Sequence, residues 1–201
     1  MALIVVGGHS RNVGKTSVVA GLIAALRDYN WTALKITQYG HGVCSADGEP
    51  CHCATDDHSW SISQEKDRSG ESDTSRFLVA GAARAWWVRT QQGRLAEAVP
   101  TIRRKLAEAE HVILESNSIL KFVRPDLYLS VLDPATEDFK KSAQEFLDLA
   151  DAVVLHEGAE KPLWDGVSLK PIAGRPVFRI QPPRYVTAEM VEFVRGKLTR
   201  P

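Results

Sequence analysis

The segment of residues 7–17, GGHSRNVGKTS, is the feature that most constrains the fold. It follows an apolar run at residues 2–6, which predicts a buried strand, and it opens residues 15–26, where apolar side chains recur at helical spacing. A glycine-containing turn between a strand and a helix aims main-chain N–H groups at one point, beside the positive end of the helix dipole. The sequence therefore predicts a phosphate-binding loop. The alternative is an ordinary turn with a lysine on the surface.

Several residues of this loop have distinct predicted roles. Gly14 lets the backbone approach a phosphate, Lys15 reaches the β- and γ-phosphate oxygens, and Thr16 offers its hydroxyl to Mg²⁺. The first glycine of the motif is Gly8, which gives the spacing G-x₅-GKT, because residue 9 is a histidine. Arg11 either contacts phosphate, as an internal arginine finger, or faces solvent. The residues predicted to bind the nucleotide are Gly8, Ser10, Arg11, Asn12, Val13, Gly14, Lys15, Thr16 and Ser17.

Apolar strand-like runs alternate with amphipathic stretches along the rest of the chain. Strands are predicted at residues 2–6, 32–36, 85–89, 111–114, 126–132, 152–155 and 177–180, and helices at residues 15–26, 74–84, 95–108, 139–149 and 187–198. This alternation predicts an α/β fold of the P-loop NTPase type, with a three-layer, doubly wound, mostly parallel sheet. We expect residues 1–201 to form a single domain.

Two segments interrupt the alternation. Residues 39–72 form a long polar insertion rich in Gly, Ser, Asp, His and Cys, and a loop of this length in a compact domain is usually functional or disordered. Residues 178–185, which contain the proline pair at residues 182–183, are predicted to form an extended connector.

Composition restricts the possible partners. The chain has 25 Lys and Arg against 25 Asp and Glu, a balance that argues against general electrostatic binding to nucleic acid or to an anionic membrane. No apolar stretch approaches the roughly 20 residues that cross a bilayer, and the amino-terminal sequence does not resemble a signal peptide. The odd count of three cysteines argues against a disulfide framework. We therefore expect a cytoplasmic protein that binds neither nucleic acid nor membrane.

Three charged residues fall near the carboxyl ends of predicted strands or just before a helix, where doubly wound sheets bind ligands. Lys35 is a candidate for stabilising a transferring phosphoryl group, or else a lysine that snorkels to solvent. Glu115 is a candidate Mg²⁺ ligand, directly or through water, or else a solvated strand-end glutamate. Asp73 orients water or Mg²⁺ near the γ-phosphate, or caps the following helix. With Lys15, these three are the candidate catalytic residues, and Thr16 and Glu115 are the candidate Mg²⁺ ligands.

All three cysteines lie in the polar insertion, within GVCSADGEPCHCATDDH. Cys44, Cys51 and Cys53, with His41 or His58, would supply the four ligands of a tetrahedral Zn²⁺ site, and such a metal would help to order the loop. With only three thiolates, Zn²⁺ is favoured over an iron–sulfur cluster. The alternatives are reduced thiols without a ligand or a redox-responsive group.

The loop spacing and the order of later motifs resemble known families. The G-x₅-GKT spacing in GGHSRNVGKT is similar to that of dethiobiotin synthetase and its relatives in the MinD-like branch of P-loop proteins. The succession GKTS, ALKITQYGHG, SDTSRFLVAGA and HVILES, over roughly the first 120 residues, resembles molybdopterin-guanine dinucleotide biosynthesis protein B. The sequence departs from that family at Gln38 and Tyr39, near the family's histidines, and at Ser116 and Asn117, where the family has glycine.

These resemblances imply alternative functions. One is a GTP-binding protein or weak GTPase in molybdopterin cofactor biosynthesis. Another is an ATP-dependent small-molecule kinase or ligase, in which Lys35 would meet the substrate and the phosphate. The cysteine segment adds a third, a metal-handling NTPase chaperone. No Asn-Lys-x-Asp sequence selects guanine, so the resemblances leave ATP and GTP both open. The second substrate or protein partner is also open, and so is a homodimer of the kind that related P-loop proteins often form.

Overall fold

The computed structural model describes residues 2–39, 59–159 and 161–199. The strands are β1 (Ala2–Gly8), β2 (Trp31–Tyr39), β3 (Trp60–Gln64), β4 (Arg84–Gln91), β5 (His111–Glu115), β6 (Leu127–Leu132), β7 (Ala152–His156) and β8 (Val177–Ile180). The helices are α1 (Lys15–Ala25), α2 (Asp73–Ala80), α3 (Leu95–Ala107), α4 (Lys141–Glu145) and α5 (Ala188–Leu198). Within this described part, no helix combines the length and the apolar character needed to cross a membrane.

The strands form one sheet in the order β3-β4-β2-β5-β1-β6-β7-β8. Neighbouring strands are parallel, apart from the antiparallel pair of β3 and β4 at one edge. From β1 the chain runs out to β2 and β4, returns to β5 beside β1, and then crosses to β6, β7 and β8 on the other side. The winding therefore reverses at β1, and ligands bind outside the carboxyl ends of strands at such a point. The predicted α/β fold with a doubly wound, mostly parallel sheet is confirmed.

The sheet is covered on both faces, which explains why its central strands are mostly apolar. Every residue of β1 is buried. On one face, side chains of α1, α2 and α5 pack against Ile4 and Ile113. On the other face, side chains of α3 and of the segment after α4 pack against Val5 and Leu114. Because burying apolar area stabilises a fold by about 25 cal/mol per Å², these two cores fix the strands on which the site residues lie.

Local sequence explains where helices begin and end. Ser72 is the N-cap of α2 and Thr187 is the N-cap of α5; each side chain accepts a hydrogen bond from a main-chain N–H of the first helical turn. Helix α2 ends at Ala80, earlier than the predicted residue 84, because Gly81 takes a left-handed conformation with φ of 118° that stops a helix.

Two predictions of irregular structure are wrong. The predicted insertion at residues 39–72 contains β3, whose alternating sequence WSISQ turns Trp60 and Ile62 towards the core and Ser61 and Ser63 towards the opposite face. The proline pair does not form an extended connector, because the main-chain N–H of Arg184 donates to the carbonyl of Gln181 at 2.9 Å and closes a tight turn. Residues 40–58 of the insertion lie outside the described part of the chain.

Candidate phosphate and magnesium site

The loop between β1 and α1 turns at the carboxyl edge of the sheet, at the point where the winding reverses. Two of its residues have positive φ, Asn12 at 56° and Gly14 at 81°. Gly14 directly precedes α1, and a Cβ at this position would lie 2.4 Å from a ring carbon of Tyr185. Thr16 is buried, whereas Arg11 is exposed to solvent. The loop therefore has the tight backbone turn, open at a helix N-terminus, that phosphate binding requires.

Lys15 is folded back over this loop. Its Nζ donates to the carbonyl oxygen of Ser10 at 2.5 Å. Burial lowers the pKa of Lys15 from 10.5 to about 8, and the carboxylate of Glu115 opposes part of that effect. A desolvated ammonium gains strongly from a nearby anion, because the anion restores the electrostatic stabilisation that water no longer provides. Lys15 is thus prepared to bind a phosphate oxygen.

Four side chains form a contiguous polar cluster beside Lys15: Thr16, Lys35, Asp73 and Glu115, which we call the Lys35 cluster. Lys35 on β2 and Glu115 on β5 are register partners in adjacent strands. Thr16 Oγ1 donates to Glu115 Oε2 at 2.7 Å. Lys35 Nζ donates to Glu115 Oε1 at 3.2 Å and to Thr16 Oγ1 at 3.3 Å, and it forms an ion pair with Asp73. The fold thus brings the predicted catalytic residues of four separate segments into one site.

The position of Lys35 and Glu115 differs from the surface alternatives considered for them. The side chain of Glu115 is only 6 % exposed and that of Lys35 is 15 % exposed. Burial by itself lowers the pKa of Lys35, but the carboxylates of Glu115 and Asp73 outweigh burial and raise that pKa above its ordinary value. Lys35 therefore points inward and is charged at neutral pH, and Glu115 is not a solvated strand-end residue.

Asp73 does not cap α2, because Ser72 accepts the capping hydrogen bond instead. Asp73 is the first residue of the helix, where a carboxylate is stabilised by the helix dipole. Its side chain is left to pair with Lys35, and one of its oxygens lies 3.8 Å from the guanidinium of Arg76. Because Ser72 and not Asp73 caps α2, the Asp73 carboxylate is available to join the Lys35 cluster.

The oxygen atoms of the cluster fit Mg²⁺. This ion prefers hard oxygen ligands and usually keeps several waters next to one or two protein oxygens and the phosphates. The hydroxyl of Thr16 and the carboxylate of Glu115 are adjacent, and Asp73 adds a second carboxylate nearby. The same three side chains already hold one cation, the ammonium of Lys35. Thr16 and Glu115 are therefore the residues that would hold the metal, with Asp73 outside them.

His9, which the sequence analysis did not single out, anchors the loop to the segment after β6. Its Nδ1 donates to the carbonyl of Asp138 at 2.9 Å, and its Nε2 accepts from the main-chain N–H of Asp133 at 3.0 Å. Its ring lies between those of Phe139 and Trp164, and burial lowers the pKa of His9. The imidazole is therefore neutral, and it braces the loop. The sequence signal for this role is the histidine at position 9, where the strict phosphate-loop motif has glycine.

Two more side chains, also missed from sequence, hold the ends of the loop. Asn117 donates to the carbonyl of Gly8 at 2.8 Å and accepts from the N–H of Gly8 at 2.9 Å. His156 at the end of β7 lies with its Nε2 3.1 Å from the carbonyl of Val13. Asn117 is one of the departures from the family pattern, and its contact with Gly8 gives that departure a structural role.

Lys140 adds a further positive charge that no sequence motif marks. Its main-chain N–H donates to the carbonyl of His9 at 2.8 Å, which fixes it beside the loop. Burial lowers the pKa of Lys140, and the nearby positive charge of Arg11 lowers it further. Three lysines and one arginine thus surround the loop, which favours a ligand with several negative charges.

A groove of about 480 Å³ opens beside Ser17, the residue that follows Thr16. Its walls come from α1, from α2 and from the segment after the proline turn, and its lining residues are Ser17, Gly21, Arg76, Pro183, Arg184, Tyr185 and Val186. Arg76 also donates to the hydroxyl of Ser17 at 3.0 Å. The groove is therefore continuous with the helix end at which the phosphates would lie.

The predicted Zn²⁺ ligands Cys44, Cys51, Cys53 and His41 lie outside the described residues. Among the residues that are described, no three His, Cys, Asp or Glu side chains are grouped as a metal site. Zn²⁺ binding stays a prediction from the sequence.

No family model and no curated protein matches the sequence. Solved structures with a similar fold include LpxK from Aquifex aeolicus in complex with ATP, at 19% identity and a TM-score of 0.49, with 89% of this chain and 53% of that chain covered. The chain thus spans about half the length of LpxK. HypB from Helicobacter pylori in complex with nickel has 13% identity and a TM-score of 0.47, covering 98% of this chain and 85% of that chain. MobB from Bacillus subtilis has 16% identity and a TM-score of 0.39, covering 98% and 99%.

Proposed function

We propose that this protein binds a nucleoside triphosphate together with Mg²⁺ and cleaves or transfers the γ-phosphoryl group. The observation that carries the proposal is the Lys35 cluster, in which Thr16, Glu115 and Asp73 surround a cation directly beside the phosphate-binding loop. A bare loop would support anion binding alone. The cluster adds the metal ligands and the buried positive charge that phosphoryl transfer needs, because the reaction is catalysed mainly by positioning and electrostatic stabilisation.

The loop residues act first by binding the phosphates. Main-chain N–H groups of residues 12–16 point to the triphosphate oxygens, and Lys15 exchanges the carbonyl of Ser10 for the β- and γ-phosphates. The exchange favours the phosphates because Lys15 trades a neutral acceptor for an anionic one, and charge-assisted hydrogen bonds are the stronger kind.

Lys35 then changes partners. Mg²⁺, when bound, neutralises charge on the β- and γ-phosphates. Thr16 and Glu115 would hold the metal, and the ammonium of Lys35 would then stabilise the negative charge that develops on the γ-phosphoryl group in the transition state. Asp73 would position the attacking water or acceptor. Lys35 would thus act as the counter-ion of Glu115 and Asp73 without nucleotide and as an electrostatic catalyst with nucleotide bound.

The groove beside Ser17 receives the nucleoside. It begins one residue after Thr16, and it offers the Tyr185 ring for stacking and the Arg184 guanidinium for polar contact. The finer proposal is a GTP-binding protein or weak GTPase in molybdopterin cofactor biosynthesis, which rests on the sequence resemblance stated above. The second candidate is an ATP-dependent kinase or ligase, which the central position of Lys35 favours. Zn²⁺ binding by the cysteine segment and a role as a metal-handling chaperone are proposals that rest on the sequence alone.

The test of the proposal is to measure phosphate release from Mg-ATP and Mg-GTP by the wild-type protein and by Lys35→Met and Glu115→Gln. Both variants should lose at least about 100-fold in turnover, since each removes charge stabilisation made in the transition state. Lys35→Met should keep its nucleotide affinity within about threefold, because the interaction of its ammonium with the γ-phosphoryl group is proposed to strengthen mainly in the transition state. Lys105→Met, a surface lysine of α3, is the control. Undiminished turnover of both variants would contradict the proposed chemistry.

The base is decided by comparing affinities for Mg-ATP and Mg-GTP in the same assay. A preference for GTP supports the molybdopterin proposal, and a preference for ATP counts against it in favour of the kinase or ligase. Equal affinities would show that the groove does not select the base.

A further inference from the structure

A second polar surface lies next to Lys35, on β2 and the adjacent β4. It is formed by Thr37 on β2 and by Trp87 and Arg89 on the adjacent β4, and we call it the Arg89 surface. Lys35 is the register partner of Trp87, and Thr37 is the register partner of Arg89, so all four side chains are on the same face of the sheet. Trp87 Nε1 donates to Thr37 Oγ1 at 2.9 Å, which confirms that shared face.

The structure explains why this surface is accessible. On the same face of β4, Ala85 is fully buried beneath α2, where it belongs to the core that contains Phe77 and Leu78. Trp87 and Arg89, nearer the carboxyl end of the strand, are only partly buried. Helix α2 therefore covers the first half of the strand and begins, with Asp73, just where the Arg89 surface starts.

Arg89 carries an uncompensated charge within the part of the chain that is described. Its guanidinium carbon lies 4.6 Å from the centre of the Trp87 ring, and this cation–π contact restrains the side chain. Its Nε is buried and has no hydrogen-bond partner among the described residues. Arg89 also has no carboxylate within ion-pair distance in those residues, in contrast to Lys35. A guanidinium fixed in orientation, with a buried N–H left over, is suited to two parallel hydrogen bonds with a carboxylate or a phosphate.

The distance from this surface to the Lys35 cluster suits a small substrate. Arg89 is two residues beyond Trp87 along β4, or about 7 Å at the rise of a strand, and Trp87 is directly beside Lys35. An anionic group held by Arg89 would place the next few atoms of the same molecule over Lys35 and the γ-phosphoryl position. Trp87 and Thr37, between the two, offer an apolar ring and a hydroxyl to that connecting part.

We propose that the Arg89 surface binds the second substrate, a small molecule that bears a carboxylate or phosphate group. This inference rests on the proposed function, because the molecule bound at Arg89 would accept the phosphoryl group that the nucleotide donates. The anion binding itself is a separate property and can be measured without nucleotide.

The experiment uses benzoate and phenyl phosphate as probes and benzamide as the uncharged control, with binding followed by saturation-transfer NMR and isothermal titration calorimetry. Each probe is titrated into the full chain without nucleotide, and again with the loop saturated by a non-hydrolysable Mg-nucleotide. At least one of the two anions should bind with the loop occupied, and benzamide should not. Arg89→Gln should weaken that binding at least about tenfold, because it removes a charge-assisted pair of hydrogen bonds. Arg84→Gln, at the opposite end of the same strand, should leave it unchanged.

The outcomes separate the two proposals. Failure of both anions to bind, or equal binding by Arg89→Gln, overturns the Arg89 surface whatever the nucleotide does. Failure of the nucleotide to bind overturns the proposed function, while the titrations without nucleotide still test the anion site. Arg89→Lys, which keeps the positive charge but loses the paired N–H groups of the guanidinium, is the second variant and should also weaken anion binding. An unfolding scan of each variant shows whether its fold is intact.

Discussion

Two lysines in one site experience opposite electrostatics. Burial is the dominant effect on Lys15, whose pKa falls to about 8, because its hydrogen-bond acceptor is the neutral carbonyl of Ser10. Lys35 is also buried, but its pKa is raised by the carboxylates of Glu115 and Asp73. The site therefore contains a buried cation bonded only to a neutral acceptor, Lys15, beside a cation paired with two carboxylates, Lys35. The first is available to an incoming anion, and the second would lose its contacts with Thr16 and Glu115 if those residues held a metal.

The free energy of unfolding should respond in opposite directions when each lysine is removed. The lowered pKa of Lys15 means that its charge costs stability below pH 8, a cost that disappears as pH rises from about 8 to 10.5. Lys15→Met should therefore stabilise the nucleotide-free protein at pH 7, by about 1 to 3 kcal/mol. The raised pKa of Lys35 means that its charge stabilises the fold until pH passes that pKa. Lys35→Met should destabilise by about 2 kcal/mol, because it leaves two carboxylates without their cation.

Urea denaturation at pH 7 without nucleotide measures both changes. If Lys15→Met were as destabilising as Lys35→Met, Lys15 would not be the strained cation that its burial indicates.

Nucleotide affinity should depend on pH through Lys15. Above a pKa of about 8 the free protein loses the Lys15 proton, whereas bound phosphates would keep Lys15 protonated, so binding must take up a proton. The association constant for Mg-nucleotide should then fall by about tenfold per pH unit above pH 8. Calorimetry in buffers of different ionisation enthalpy reports the proton uptake directly. Lys15→Arg is the control, since its guanidinium stays charged and its affinity should be flat over this range. The same slope in both proteins would show that another group titrates.

The elements of this chain could be predicted from sequence where a strong local pattern marks them. The apolar run and glycine turn of β1 and α1, and the apolar strand that ends at Glu115, appear in the structure close to their predicted positions. Strand β3 was missed because it is short and mostly polar. It lies at the edge of the sheet and is stabilised by pairing with β4, which its own sequence does not reveal. Asp73 was considered as a cap because Ser72 and Asp73 are both good capping residues, and only the structure decides between them.

The side chains that brace the loop could not be predicted from sequence for a different reason. Asn117, His156 and Asp138 contact the loop from more than 100 residues away, so no spacing along the chain marks them. Their role arises from sheet order, because β5, β6 and β7 bring their carboxyl ends to the same edge as β1.

The capping of α2 should control the position of Asp73. Ser72→Ala removes the side-chain oxygen that accepts from the first turn, and it should cost about 1 kcal/mol of unfolding free energy. It should also reduce nucleotide turnover, since Asp73 follows the cap directly. Ser142→Ala in α4 is the control and should change stability by less than about 0.5 kcal/mol. A loss of stability with unchanged turnover would separate Asp73 from the reaction.

The amide of Asn117 should matter to the loop more than to the rest of the fold. Asn117→Ala leaves both main-chain groups of Gly8 without their partner, at a cost of about 2 kcal/mol, and should weaken Mg-nucleotide binding about tenfold. Thermal unfolding and calorimetry measure the two effects, and Gln144→Ala, an exposed amide on α4, is the control. Nucleotide affinity equal to wild type would mean that the loop keeps its form without this brace.

At the scale of the whole molecule, the sheet divides the site into three regions. The groove beside Ser17 lies between α1, α2 and the segment that follows β8, the Lys35 cluster lies over β5 and β2, and the Arg89 surface lies over β2 and β4. A nucleotide with its base in the groove would direct its γ-phosphoryl group towards Lys35, beside the Arg89 surface.

The most direct test of this account is an isothermal titration of Mg-ATP and of Mg-GTP into the wild-type protein and into Lys15→Met at pH 7. The account predicts saturable binding of at least one triphosphate to the wild type and a loss of at least about 100-fold in Lys15→Met, although that variant is the more stable protein without nucleotide. Equal affinity of the two proteins, or no binding of either triphosphate to the wild type, would contradict it.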